Sequence, residues 1–171
     1  MAAHDATTSS NPAFEITRVF KAPRDRVWKA WSEADQLKQW WGPTGCSIEI
    51  HRFEFRLGGF LHYAMKFADA PTMWGRFNYR DIVAPERIVW LNSFSNEKCG
   101  IARAPFSEIC PLEIENCVTF TEHAGSTTVS LRAQPFGEVA QERNYFEGIR
   151  SSLEQGYAGT LGQLAGYLAK A

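Results

Sequence analysis

Apolar and polar positions alternate along this chain with a period that changes three times. Phe14, Ile16 and Phe20 set against Glu15, Thr17 and Lys21 give the period of two that marks a half-buried strand over 14–21. Val27 and Trp31, four apart behind Pro23, and a short stripe through Leu37 and Trp41 predict two small helices, closed by the Gly42-Pro43 turn. Strand-like runs follow at 46–55, 60–67, 72–83, 87–94, 112–123 and 127–134, with turn residues at Gly58-Gly59, 69–71, 84–86 and 124–126. Connections this short imply hairpins and a mostly antiparallel sheet. From about Val139 the period becomes helical, and Ile149, Leu153, Tyr157, Leu161, Leu164 and Leu168 fall three or four apart. This predicts a long amphipathic C-terminal helix, with Gly148 marking a kink or a break. Gly156, Gly159, Gly162 and Gly166 each cost that helix about 0.8–1.0 kcal/mol relative to alanine. The expected compensation is a close approach of the helix to the sheet.

Two stretches stand apart from this rhythm. Residues 95–111, punctuated by Asn96, Gly100, Pro105 and Pro111, have no clear period and read as a long loop, a candidate lid over whatever the sheet encloses. Residues 28–41 hold four of the six tryptophans. Buried indoles dominate local packing, so Trp28 and Trp31 are expected to be core, whereas Trp41 stands just before a rigid turn.

The order strand, two short helices, six strands, long helix resembles the START-like (SRPBCC, helix-grip) superfamily, in the branch named after the C-terminal domain of the activator of Hsp90 ATPase. The matching residues are Ala22-Pro23-Arg24 with Val27-Trp28 and Ala30-Trp31, then Leu37 with Trp40-Trp41-Gly42-Pro43 and Gly45. Glu54-Phe55-Arg56 with Gly58-Gly59, Trp74-Gly75-Arg76-Phe77, 79–83, Pro85-Glu86-Arg87, 127–132 and Gln155-Gly156-Tyr157 with Leu161, Leu164 and Leu168 complete the set. Leu57, Cys46 and Tyr157 depart from the usual pattern, and the tyrosine puts a hydroxyl where an indole usually sits. The resemblance implies an α+β helix-grip fold: a curved antiparallel sheet of six to seven strands around the C-terminal helix, two short helices after the first strand, and a ligand-holding hollow between sheet and helix. The length and hydrophobic content fit one domain, expected over 14–171, and the polar start of the chain predicts a frayed N-terminus over 1–13.

Composition narrows the function. A net charge of −1 without a basic run offers no footprint for nucleic acid or an anionic membrane. No signal-peptide pattern or membrane-length apolar run is present, so a cytoplasmic protein is expected. The cysteines at 46, 99, 110 and 117 form no C-x-x-C pair and the histidines are scattered, so neither a disulfide, a metal site nor a cofactor is expected.

Candidate ligand-binding residues are Trp41, His62, Trp74, Arg76, Trp90, Asn92, Phe94, Tyr145 and Tyr157. Ile88, Trp90, Asn92 and Phe94 share one strand face, favoured as the inward one because a lone amide among aromatics fits an apolar pocket with few polar anchors. His62 is a general-base candidate or an exposed strand residue. Arg76 either grips a ligand carboxylate or is ion-paired on the surface. Trp74 and Tyr145 either wall the pocket or cover the core. Three functions follow in order: binding of a small hydrophobic aromatic or acyl ligand, a polyketide cyclase or aromatase-type enzyme, and a chaperone regulator. A homodimer is compatible with the pattern, which offers no test of it.

Overall fold

The computed structural model describes residues 13–170, so the segment expected to fray lies, apart from Ala13, outside the described residues. The chain runs β1 (Phe14–Phe20), α1 (Arg24–Ser32), α2 (Ala34–Leu37), β2 (Ser47–Phe53), β3 (Phe60–Lys66), β4 (Met73–Val83), β5 (Arg87–Ser95), β6 (Ile101–Ala102), β7 (Ile114–His123), β8 (Ser126–Pro135), α3 (Ala140–Gly148) and α4 (Arg150–Ala169). All pairings are antiparallel, in the order β1-β8-β7-β5-β4-β3-β2. The two-residue β6, not foreseen, pairs with the end of β5 through Phe94↔Ala102 and Ser95↔Ile101. The helical period after Val139 resolves into two helices, because Ile149 (φ −103°, ψ 13°) leaves helical geometry directly after Gly148.

Register decides which side chains meet. Tyr63, Gly75 and Phe94 lie level across β3, β4 and β5, as do Leu61, Phe77 and Asn92. Next to them Tyr79 pairs with Trp90, and Trp90 pairs with Asn116 on β7. This inner face packs on α4, whose Leu161, Leu164 and Leu168 join Phe14, Tyr63, Phe77 and Val118 in the buried core. A period of two sends the intervening residues, His62, Arg76 and Ser93 among them, to the outer face.

The tryptophan segment closes one end of this core. Pro23 directly precedes α1, and the Glu122 carboxylate accepts the Arg24 N–H at 2.8 Å, satisfying one orphan donor at the helix start. Trp31 and Trp40 are buried at 3% and 1% exposure. Beyond α2 the backbone turns at Gly42, where φ is +101° and a Cβ would stand 2.9 Å from Ile48 Cδ1. Helix α4 holds that turn: Thr160 Oγ1 and Gln163 Nε2 donate to the Gly42 carbonyl at 3.1 and 2.8 Å, and Gln163 also donates to the Trp40 carbonyl at 3.0 Å.

The glycines of α4 have a different role from the one expected. A Cβ at Gly156 or Gly166 would meet nothing within 4 Å, and one at Gly162 would meet only Arg18 Nη1 at 3.7 Å. Gly159 has the tightest neighbour, Thr44 Oγ1 at 3.3 Å, which belongs to the loop after α2, so close helix–sheet approach does not explain them. Gly156 instead borders a cavity.

Candidate functional site

A cavity of about 330 Å³ separates α4 from the inner face of β3, β4 and β5. Its floor is Tyr63, Met65, Gly75, Asn92 and Phe94; its helical wall is Ser152, Leu153, Gly156, Tyr157 and Thr160. Two loop segments complete it, Trp41-Gly42-Pro43 on one side and Cys110-Pro111 running to Ile114 on the other. Among the described residues the wall has no charged side chain.

Packing explains why the space exists. Helix α4 presents a bare backbone at Gly156, and β4 presents one at Gly75, where an added Cβ would lie 2.5 Å from the Tyr63 hydroxyl. Tyr63 can therefore lie across the strand beside it. The Trp41 ring meets Phe77 edge-on at 5.1 Å.

Hydrogen bonding divides the polar groups sharply. Tyr157 donates to Asn116 Oδ1 at 2.9 Å, and Asn116, fully buried, donates its own amide to the Ile114 carbonyl at 3.2 Å. That pair is satisfied. Asn92 Oδ1 is buried with no hydrogen-bond partner. Leaving such a group unpaired costs about 1–3 kcal/mol. Trp31 Nε1 and Trp90 Nε1 within the core and Ser93 Oγ beside it on β5 share that condition, and Asn92 differs from the two indoles in bordering the cavity. Burial pushes the Tyr63 hydroxyl up to about 12, with the neighbouring Trp41 indole acting the other way. Tyr157 is raised further for the same reason, desolvation. Both hydroxyls keep their protons at neutral pH.

The family model for "Activator of Hsp90 ATPase homolog 1-like protein" matches residues 21–169. The chain belongs to this family. No curated protein matches it. Solved structures with the same fold include a protein of Arthrobacter aurescens (23% identity, TM-score 0.77, 93% of this chain and 87% of that one). A protein of Mycobacterium smegmatis is similar at 22% identity and TM-score 0.73, covering 91% and 90% of the two chains. DynU16, a protein in the dynemicin biosynthetic locus, matches at 19% identity and TM-score 0.62 over 93% of this chain and 48% of its own. At such identities the likeness shows the fold of the family.

Within this family fold the nine candidate residues separate into three groups. Trp41, Asn92, Phe94 and Tyr157 stand on the cavity wall. Trp90 faces inward as expected but does not reach the cavity. It is 1% exposed, stacked on Phe77 at 4.8 Å and covered by Trp31 and Trp41, so it is core. Tyr145 is likewise off the wall, because the break at Ile149 leaves it on α3 while only α4 lines the cavity.

His62, Trp74 and Arg76 are placed on the opposite side of the sheet, which corrects the expectation that they line the pocket. Their register partners there are Ser93 and Ser95. His62 stacks on Trp74 at 4.9 Å and donates from Nε2 to the Asn96 carbonyl at 2.9 Å. Arg76 Nη1 donates to the Cys99 carbonyl at 2.7 Å. These contacts pin the turn after β5 against the outer face, and burial lowers the His62 pKa, disfavouring the imidazolium. A general base for the cavity is excluded at this position by the sheet itself.

The segment 103–112 beside the cavity is tied down by one carboxylate. Glu142, 6% exposed on α3, accepts from Arg103 Nη1 at 2.7 Å and from the Leu112 N–H at 3.2 Å, while Arg103 also donates to the Cys110 carbonyl at 3.2 Å. Both ends of the loop thus meet on a single side chain. Glu142→Ala is expected to cost about 1–3 kcal/mol by orphaning the Leu112 N–H. Limited proteolysis should then cut between Ala104 and Cys110 several-fold faster, with the core strands unaffected. An unchanged cleavage rate would contradict this account.

Proposed function

We propose that this domain binds one small, mostly apolar ligand in the cavity between α4 and the sheet. The observation that carries the reading is a 330 Å³ space whose apolar wall includes Asn92, a side chain with a buried, unpartnered oxygen. Ligand sites are concave, predominantly apolar and supplied with a few polar groups, and volumes from about 300 Å³ are usual. At the packing density of protein interiors, ~0.75, the space takes roughly 250 Å³ of ligand, the size of two to four fused rings. Trp41, Tyr63, Phe94 and Tyr157 supply flat aromatic surfaces for such a molecule.

Tryptophan fluorescence tests this directly, since Trp41 is part of the wall. Titration with 1-hydroxypyrene should give saturable, one-site quenching that Trp41→Phe reduces. A flat titration with this probe and with smaller polycyclic alcohols would contradict the proposal.

A cyclase-type enzyme is the second reading, favoured by the likeness to a protein of a biosynthetic locus. It ranks lower because general acid–base catalysis works best with groups titrating near the operating pH. The cavity hydroxyls of Tyr63 and Tyr157 are pushed well above that range. Regulation of a chaperone ATPase, which the family description suggests, ranks third, and no stimulation of an Hsp90 ATPase is expected.

A further inference from the structure

Two asparagines point toward the space under α4, and only one of them is satisfied. Asn116 spends its oxygen on Tyr157 and its nitrogen on the Ile114 carbonyl. Asn92, two residues further along the inner face of the neighbouring strand than Trp90, the register partner of Asn116, has a buried oxygen with no partner. Its backbone is engaged in the sheet, paired to Phe77 on one side and Ile114 on the other. The side chain therefore holds no structural bond together. A half-turn about its terminal torsion exchanges oxygen and nitrogen, so the amide can present either an acceptor or a donor to the cavity.

The surroundings limit what could satisfy it. No charged side chain among the described residues lines the cavity. Tyr157 has already committed its proton to Asn116, leaving its oxygen lone pairs as acceptors. An ionised carboxylate placed there would lose its hydration without gaining a cation. A neutral group that both gives and takes a hydrogen bond, such as a hydroxyl or a lactam, would complement Asn92.

We infer that Asn92 is the specificity-determining residue of this cavity, and that its ligand class is uncharged ring systems bearing a hydroxyl or lactam rather than free acids. This inference rests on the cavity reading above. Asn92→Leu removes the amide at nearly constant size. Replacing a buried polar group by an apolar one of similar shape is close to neutral for stability, so the variant should fold.

The test compares 2-naphthol, naphthalene and 2-naphthoate by tryptophan quenching at neutral pH. For the wild-type protein, naphthol should bind at least tenfold more tightly than naphthoate. In Asn92→Leu, the affinity of naphthol relative to naphthalene should fall about tenfold while naphthalene binding is kept. Comparable binding of naphthoate and naphthol to the wild type, or an unchanged naphthol-to-naphthalene ratio in the variant, overturns the role of Asn92 and leaves the cavity reading standing. Failure of all three compounds to bind overturns both. The wild-type comparison needs no variant, so a misfolded Asn92→Leu protein still leaves a result that decides.

Discussion

Gly156→Leu is expected to weaken binding of 1-hydroxypyrene by about 100-fold or more while the domain keeps its fold and its thermal stability. Gly156 sits in the middle of α4, where glycine costs about 1 kcal/mol relative to a good helix former. Nothing lies within 4 Å of an added Cβ, and the position borders the cavity. The leucine side chain therefore grows into empty space rather than into packed atoms. Gly156 is exposed at the cavity rim, so the leucine is only partly covered and contributes less than the ~2 kcal/mol of a fully buried side chain. With the helix-propensity gain included, the melting temperature should stay level or rise. A four-ring ligand that needs most of a 330 Å³ cavity loses its place. Gly166→Ala, with equally open space and no cavity contact, should stabilise the helix without touching affinity. If Gly156→Leu binds 1-hydroxypyrene as the parent does, the ligand lies elsewhere.

The second large effect concerns stability. Trp40→Ala should destabilise the domain by about 3–5 kcal/mol, the range for removing a buried indole. Trp40 is 1% exposed, meets Trp31 edge-on at 4.7 Å and Trp41 at 5.7 Å, and donates its indole N–H to the Ala30 carbonyl at 3.0 Å. Its loss leaves a cavity between α1 and the sheet and an unpaired acceptor. A domain of this size has about 5–15 kcal/mol in total, and each 1 kcal/mol shifts its midpoint by roughly 2–4 °C. A fall of roughly 10–15 °C by calorimetry is the expected result. Trp41→Ala, on the cavity wall, should lower the midpoint less and ligand affinity more. Equal stability losses for the two variants would show that the segment does not divide into core and wall.

This division refines what the tryptophan-rich segment alone conveys. Its family signature and its structural role were legible in residues 22–45, because a helix stripe and a Gly-Pro turn are local features. So were seven of the eight strands and the helical C-terminus, whose periods can be counted. Strand β6 was not, since two residues carry no period and Ile101–Ala102 is defined by its partner on β5.

The site was legible only in part, for a reason of register. Residues 92 and 94 of β5 face inward, yet β4 pairs Phe77 with Asn92 and Gly75 with Phe94. Odd positions of β4 thus share a face with even positions of β5, and β3 follows β4 through Tyr63↔Gly75. Asn92 and Phe94 on β5 therefore reach the cavity, whereas His62 on β3 and Trp74 and Arg76 on β4, also even-numbered, fall on the far side. Pairing across strands is a tertiary property that no single strand encodes. One local signal was available: Leu61, Tyr63 and Met65 alternate with His62 and Lys66, which marks the odd face of β3 as apolar. Gly75 and Gly156 had no such signal, because a missing side chain is informative only once its neighbours are known.

The most direct measurement is a crystal structure of the protein with 1-hydroxypyrene. The account predicts the ring system between α4 and β3–β5, against Trp41 and Tyr157 and beside Gly156, with its hydroxyl on the Asn92 amide. Density on the outer face at His62, Trp74 and Arg76, or a cavity closed by collapse of Tyr63 and Phe94 onto α4, would contradict it.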